Sequence, residues 1–389
     1  METSTKYNQR GVSSSKSDVH KAIEGLDKGL YPNAFCKVLP DIVGGDEAYC
    51  NVMHADTAGT KTSLAYVYWK ETGDLSVWDG IIVDSIVMNI DDMACIGIVD
   101  DIILSSTIGR NKNVITGEVI ARLIKGTSKF INELKELGVN LILSGGETAD
   151  VGDIVRTIDV GFTAFARLKR SEIIENKICP GDVIVGLASF GQATYETAYN
   201  GGMGSNGLTS ARHDVFGADL SRKYPESFDP HIPENLVYAG SKSLTDVDEE
   251  TGLTYGKLVL SPTRTYTPVL KQIFEKLKSD IHGAIHCSGG AQTKVLNFVS
   301  DLHVIKDSMF ETPRLFRIIQ EESGTAWEEM YKVFNMGHRL EIYLDESKAQ
   351  AIIDIAAEFN IEAKVIGRCE ANQGKKLTIT SDNGVFQYN

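Results

Sequence analysis

TGEVIARLIKGTSKFINELKELGVNLILSGGE, Thr116 to Glu147, is the stretch from which the rest of the chain can be read. Val119, Ile120, Leu123, Ile124, Thr127, Phe130, Ile131 and Leu134 recur at spacings of three and four, which predicts an amphipathic helix over Thr116–Leu137. Glu118 sits in its first turn, where the helix dipole favours a carboxylate, and Gly138 stops it. Val139–Leu143 follows as a short buried strand that ends in Ser144-Gly145-Gly146-Glu147.

Elements of both kinds continue in either direction. Upstream, Asn51–Ala55 reads as a strand leading into Asp56, Ile81–Ile96 as a mostly apolar helix, and Ile102–Thr107 as a strand; residues 1 to about 50 look irregular, with one short helix near Ser17–Leu26. Downstream, Thr157–Leu168 alternates, with Ile158, Val160, Phe162, Ala164 and Ala166 on one face, as in a half-buried antiparallel strand. Charges from Lys169 to Asp182 and the turn signal Pro180-Gly181-Asp182 precede a new strand, Val183–Ala188. This places a domain boundary near Lys169–Arg170 and divides the chain into 1–169 and 170–389, in keeping with a length of 389 residues. The second half carries strands at Leu258–Ser261, Ala284–His286 and Arg339–Leu344 and helices at Pro268–Lys278 and Glu346–Phe359. His213–Gly256, long and polar, reads as a surface insertion or a mobile flap.

Hydrophobic residues make up 42% and charged residues 24% of the chain, an ordinary globular mixture. A net charge of -14 repels nucleic acid and anionic lipid, so neither is expected as a partner. Aspartates interrupt the most apolar region, Gly80–Leu104, too often for a membrane span. The six cysteines show no C-x-x-C spacing and read as buried reduced thiols, and no secretory signal is visible; a cytoplasmic location fits.

Five segments could carry chemistry. In His54-Ala55-Asp56-Thr57-Ala58-Gly59-Thr60-Lys61, Gly59 lets backbone amides approach an anion and Lys61 adds a point charge. Asn89-Ile90-Asp91-Asp92 puts two carboxylates in an apolar helix, either on its exposed face or against a cation. Gly145-Gly146-Glu147-Thr148-Ala149-Asp150 offers amides to phosphate and hard oxygens to Mg²⁺. Gly204-Ser205-Asn206-Gly207 could cap a helix or bind phosphate, and Ser288-Gly289-Gly290 is a further possible cradle. Each of the other four segments, outside the Asn89–Asp92 helix, also reads as a plain turn or cap. A zinc site joining His282 and His286 is excluded, because four residues of extended chain span ~13 Å.

Together, and in this order, these segments resemble the phosphoribosylformylglycinamidine cyclo-ligase, or aminoimidazole ribonucleotide synthetase, family. The family's D-G-V-G-T-K falls on Asp56–Lys61, its N-D on Asp91-Asp92, its G-G-E-T-A-E on Gly145–Asp150 and its S-N-G on Ser205-Asn206-Gly207. Its A-P-T-R-x-Y appears as Ser261–Tyr266, its H-L-T-G-G-G as His286–Ala291 and its M-Y-x-x-F-N-x-G as Met330–Gly337. The resemblance implies an α/β fold of α+β type in two domains, with the N-terminal sheet pairing into a dimer barrel. It implies Mg²⁺ and ATP as cofactors and formylglycinamidine ribonucleotide as substrate. ATP would phosphorylate the formamide oxygen, ring closure would expel phosphate, and aminoimidazole ribonucleotide and ADP would leave. Asp56, Asp92 and Glu147 would hold metal and nucleotide, Asp56, Lys61 and Glu147 forming the catalytic set. Gly59, Thr60, Lys61, Gly145, Gly146, Gly289 and Gly290 would meet ATP or its phosphates. Ser205, Asn206, Gly207, Arg264 and Asn335 would hold the substrate.

The chain departs from the family pattern at Leu30–Phe35, where a glycine-rich segment is expected, at Ala291 in place of glycine, and at His338-Arg339-Leu340 in place of small apolar residues. The segments Gln192–Gly202 and that after His213 are longer than expected. Selenophosphate synthetase or a small-molecule kinase such as thiamine-monophosphate kinase is the alternative within ATP chemistry. A nucleotide-binding paralogue without turnover is the alternative outside it.

Overall fold

The alternating run after residue 157 becomes the centre of the first sheet. In the computed structural model, which describes residues 5–13 and 17–389, β5 (Ile158–Lys169) lies between β2 (Tyr49–Thr57) and β3 (Ile102–Arg110), antiparallel to both. β1 (Val38–Pro40) flanks β2, and β4 (Leu141–Asp150) pairs parallel with β3, giving the order β1-β2-β5-β3-β4. Val160, Phe162, Ala164 and Ala166 are buried, as alternation predicts. The helices Lys61–Thr72, Val77–Ala94 and Gly117–Glu136 accompany this sheet, and Val119, Leu123, Thr127, Ile131 and Leu134 of the last are buried.

The second sheet has seven strands: β6 (Val183–Ala188), β7 (Ile281–His286), β8 (Leu302–Lys306), β9 (His338–Leu344), β10 (Ala363–Ala371), β11 (Lys376–Ser381) and β12 (Gly384–Tyr388), in the order β12-β11-β8-β10-β6-β9-β7. Helices Thr267–Leu277 and Glu346–Glu358 pack with each other beside it. The protein is thus an α/β molecule with one sheet in each half. Hydrophobic packing does not stop between them. One cluster runs from Val52 and Ile86 through Leu208 and Phe216 to Ile379.

Three expectations need correction. Leu258–Ser261 is no strand: Tyr255–Val259 forms a short helix, capped by the Thr254 side chain, and the chain then runs irregularly to Tyr266. Gly145–Asp150 is not a turn after a strand. The register slips at Ser144-Gly145, where Gly145 takes φ +109°, and the pairing with β3 then resumes to Asp150. Gly146 must lack a side chain, since a Cβ there would lie 2.0 Å from Ser106 Oγ. Nor is His213–Gly256 a loose flap. It buries Leu220, Ile232, Leu236, Val237, Tyr238 and Leu244, and Arg10 bonds Leu236 O, Ser210 Oγ and Asp214 Oδ1 at its base. Its polar composition concealed apolar residues spaced irregularly over loops and short helices such as Asp219–Lys223, which periodicity does not detect.

Candidate active site

The aspartates at the C-terminal end of the Val77–Ala94 helix are buried, so the exposed-face reading fails for both. Asp91 holds the second half in place. Its Oδ1 accepts from the hydroxyls of Thr265 (2.7 Å) and Thr267 (2.9 Å), and its Oδ2 from the Tyr266 amide (3.0 Å), at the start of the Thr267–Leu277 helix. Burial raises its pKa despite these donors.

Asp92 is the centre of a polar chain joining the two sheets. His286 Nδ1, at the end of β7, lies 2.6 Å from Asp92 Oδ1, and His54 Nε2, on β2, lies 3.4 Å from Oδ2. Arg339 Nη2 lies 2.7 Å from His286 Nε2. Arginine can only donate, so Nε2 accepts, and the His286 proton sits on Nδ1 and points at Asp92. Burial pushes the Asp92 pKa up, but the histidine hydrogen bonds outweigh it and hold the carboxyl well below its usual range. Burial likewise disfavours charge on His54, yet Asp92, Asn89 and Asp56 together raise its pKa. His54 Nδ1 meets Asn89 Oδ1 at 3.0 Å, and Asn89 Nδ2 reaches the Asp56 carbonyl at 3.4 Å. Asp56 and Asp92 therefore belong to one network.

Two glycine loops lie against it. Gly204 packs on Arg339, and a Cβ at Gly204 would lie 2.9 Å from the guanidinium carbon. Gly207, at φ +79°, leads into the Leu208–Val215 helix against the Phe334 ring, 2.5 Å from where a Cβ would be. Ser205 Oγ meets Thr263 Oγ1 at 3.2 Å. Asn206 Oδ1 is buried without a hydrogen-bond partner, and the Asn206 amide lies 3.9 Å from where a Cβ at Gly289 would be. The Ser205-Asn206-Gly207 and Ser288-Gly289-Gly290 loops thus face each other. An orphaned acceptor between them suits a ligand that brings an N–H or O–H. Gly59 and Thr60 are exposed at the start of the Lys61–Thr72 helix, and Thr60 Oγ1 reaches Thr209 Oγ1 at 2.8 Å.

Comparisons with known proteins give the family. Family models described as AIR synthase related protein, N-terminal domain and C-terminal domain, match residues 36–168 and 179–380. The phosphoribosylformylglycinamidine cyclo-ligase of Methanocaldococcus jannaschii is 31% identical over 323 residues, 82% of this chain and 78% of that one. The chain belongs to the phosphoribosylformylglycinamidine cyclo-ligase family. That family is one of ligases. Its Carboxydothermus hydrogenoformans member is 27% identical over 379 residues, 92% of this chain and 94% of its own. Among solved structures, T. maritima PurL complexed with FGAR superposes with a TM-score of 0.53 at 15% identity. It covers 96% of this chain, which spans about half (49%) of the PurL chain. Thiamine-monophosphate kinase from Stenotrophomonas maltophilia gives 0.50 at 15% identity, covering 94% of this chain and 96% of the kinase. At such identities these two likenesses concern the fold.

Against the cyclo-ligase pattern, four residues expected at a ligand stand elsewhere. Lys61 is fully buried. Its Nζ donates to Asp84 Oδ1 (2.8 Å), Gly204 O (3.1 Å) and Ser261 O (2.5 Å), so it ties the halves together instead of facing a phosphate. Arg264 is occupied by Glu196 (3.0 and 2.6 Å) and the carbonyls of Ala188 and Phe190. Asn335 accepts from Ser189 Oγ and the Gly337 amide and donates to Gly202 O, clamping the loop that leads to Ser205. Glu147 is exposed on β4, opposite Thr107, which faces Gly161, which faces Thr57. Three strand spacings put it ~14 Å from the Asp56 end of β2, so the three carboxylates do not converge within one chain.

Sequence reasoning placed His54 in the first candidate segment and noted Arg339 as a departure but gave neither a role, and it missed Asp84 and Lys294 as site residues. Asp84 accepts from Lys61 and from both the amide and hydroxyl of Thr263, and its only signal was a carboxylate in an apolar helix. Lys294 Nζ donates to Ser288 Oγ (2.9 Å), lies over the Phe35 ring (4.8 Å), and helps to lower the Asp92 pKa. Leu30–Phe35, where the family pattern has a glycine-rich segment, packs through Phe35, which stacks on Phe298, and the adjoining Cys36 thiol reaches Asp92 O at 3.3 Å.

Proposed function

We propose that the cleft between the two halves converts formylglycinamidine ribonucleotide to aminoimidazole ribonucleotide in purine biosynthesis, using ATP and Mg²⁺, in a cytoplasmic homodimer of subunits divided near Lys169. The observation that carries this reading is the hydrogen-bonded chain His54–Asp92–His286–Arg339, with Asp56 beside it and both glycine loops against it. The names of the curated relatives support the substrate, and T. maritima PurL complexed with ATP supports the nucleotide.

Two carboxylates, Asp56 and Asp92, supply hard oxygens suited to Mg²⁺, and the strongly depressed pKa of Asp92 keeps it ionised for that task. Bound Mg²⁺–ATP would deliver the phosphoryl group that turns the formamide oxygen into a leaving group. Phosphoryl transfer needs mainly positioning and neutralisation of charge. For those tasks the chain offers the exposed Thr60 at a helix start, the amides of Gly289 and Gly290, and the Lys294 ammonium. Ser205 and Asn206 would orient the substrate, with Gly207 setting the turn. Lys61, Arg264 and Asn335 would hold the loops that do so. Gly145, Gly146 and Glu147 would act on the site of a second subunit, because the outer face of the first sheet leaves Met53 (65% exposed), Ile142 (47%) and Ile103 (40%) uncovered. The retained carboxylates Asp56 and Asp92, joined through Asn89 and His54, favour this reading over a paralogue without turnover.

ADP release dependent on formylglycinamidine ribonucleotide tests the proposal. Asp56→Asn should lose about 100-fold or more in rate while retaining the wild-type melting curve. Rapid ATP turnover without this substrate, or a fully active Asp56→Asn, would overturn it.

A further inference from the structure

Away from that cleft, a second set of side chains converges on the outer edge of the second sheet. Cys179, alone among the six cysteines, is exposed, contrary to the expectation of six buried thiols. It opens the turn Cys179-Pro180-Gly181-Asp182. Proline at the second position, Gly181 at φ +99° and the bond from the Asp182 amide to Cys179 O (3.2 Å) make a tight turn. That turn brings Cys179 Sγ to 3.5 Å from Asp182 Oδ1, and the Cys179 amide fixes the other carboxylate oxygen at 2.9 Å. The Cys369 amide in turn holds Asp182 O at 2.8 Å.

The third member comes from the edge strand β7. Ile281 pairs with Leu344 and Gly283 with Tyr343, so His282 is the extra residue of a β-bulge. Bulges redirect a side chain, and here the imidazole turns to Asp182, with His282 Nδ1 2.7 Å from Oδ1 and 4.0 Å from Cys179 Sγ.

We propose that Cys179, Asp182 and His282 form a Zn²⁺ site with three protein ligands and a fourth position open to water. The three candidate ligand atoms lie within 4.8 Å of one another. Nitrogen, oxygen and sulfur ligands at about 2.0–2.3 Å in a tetrahedron stand about 3.3–3.8 Å apart. The observed separations of 2.7, 3.5 and 4.0 Å bracket that range. Only the proton shared by His282 and Asp182 must leave, along with the thiol proton. A thiolate with imidazole selects zinc over Mg²⁺ or Ca²⁺. Without a cation, burial and the Asp182 charge raise the Cys179 pKa, and bound metal reverses that influence. The site would clip residue 179 to residue 282 and brace the strand that carries His286 at its far end. A comparable group, Cys287, His338 and Glu341, already holds a cation, the buried Lys306 ammonium.

Full-length protein freed of metal by a chelator would be titrated with Zn²⁺ against a chromophoric competitor, in excess Mg²⁺ to occupy oxygen-only sites. One equivalent should bind, and Co²⁺ in its place should give a near-ultraviolet thiolate charge-transfer band. Cys179→Ser should abolish that band, and Cys179→Ser and His282→Ala should each weaken Zn²⁺ binding at least about tenfold, since losing even an outer-shell partner costs about 10–100-fold. His231→Ala, which removes an exposed His–Asp pair lacking a thiol, should change nothing. Absence of a stoichiometric equivalent in the wild type, unchanged affinity in Cys179→Ser, or an equal loss in His231→Ala would each overturn the proposal.

Discussion

Ala291 shows what a single position can cost. It occupies φ +45°, in the left-handed region, beside Gly290 at +87° in the loop that follows His286. An L-residue there carries about 1–2 kcal/mol of steric cost, whereas glycine would widen the unfolded ensemble by somewhat less. Ala291→Gly should therefore stabilise the protein by about 0.5–1 kcal/mol, read as a higher urea midpoint at unchanged m-value. A lower midpoint would mean that the alanine methyl's packing outweighs the backbone strain; it is 1% exposed. His286 presents a different lesson. Read alone it was a histidine ending a strand, but its tautomer is set by Arg339, fifty-three residues away in the chain.

At the scale of elements, the Lys61–Thr72 helix is anchored by its first residue. Burial lowers the Lys61 pKa while Asp84 raises it, and both side chains are sealed from water. Replacing Lys61 with methionine leaves Asp84 buried without its cation, a change that costs about 3–5 kcal/mol. We expect Lys61→Met to lose stability of that order in urea denaturation. An inactive Lys61→Met of unaltered stability would instead mark the ammonium as a ligand group. β4 is an edge strand with Glu147 on it, and its bulge at Ser144-Gly145 lets a glycine-rich segment continue as strand where local signals favoured a turn.

For the molecule as a whole, the apolar outer face of the first sheet and the distance from Glu147 to Asp56 point the same way. The parent should sediment as a dimer and the double variant Met53→Asp, Ile103→Asp as a monomer, since charges on that face oppose its burial. Mixing inactive Asp56→Asn and Glu147→Ala subunits should restore activity, because one hybrid site then holds both wild-type carboxylates. No recovery on mixing, with subunit exchange verified, would confine Glu147 to some other role.

Much of this was legible in the chain itself. The helix at 117–136, the alternating strand at 158–169 and the order of the motif segments follow from periodicity and local turn chemistry, which act between residues close in sequence. Which groups meet is another matter. Lys61 finds Asp84 and Ser261, Asp91 finds Thr265, and Arg264 finds Glu196, all through packing of distant segments. Sequence by itself determined the strongly periodic elements, the family and the residue types available for chemistry. Only the tertiary structure decided which charges are paired inside and which remain for a ligand, because a buried charge takes whichever partner the fold brings within hydrogen-bonding reach.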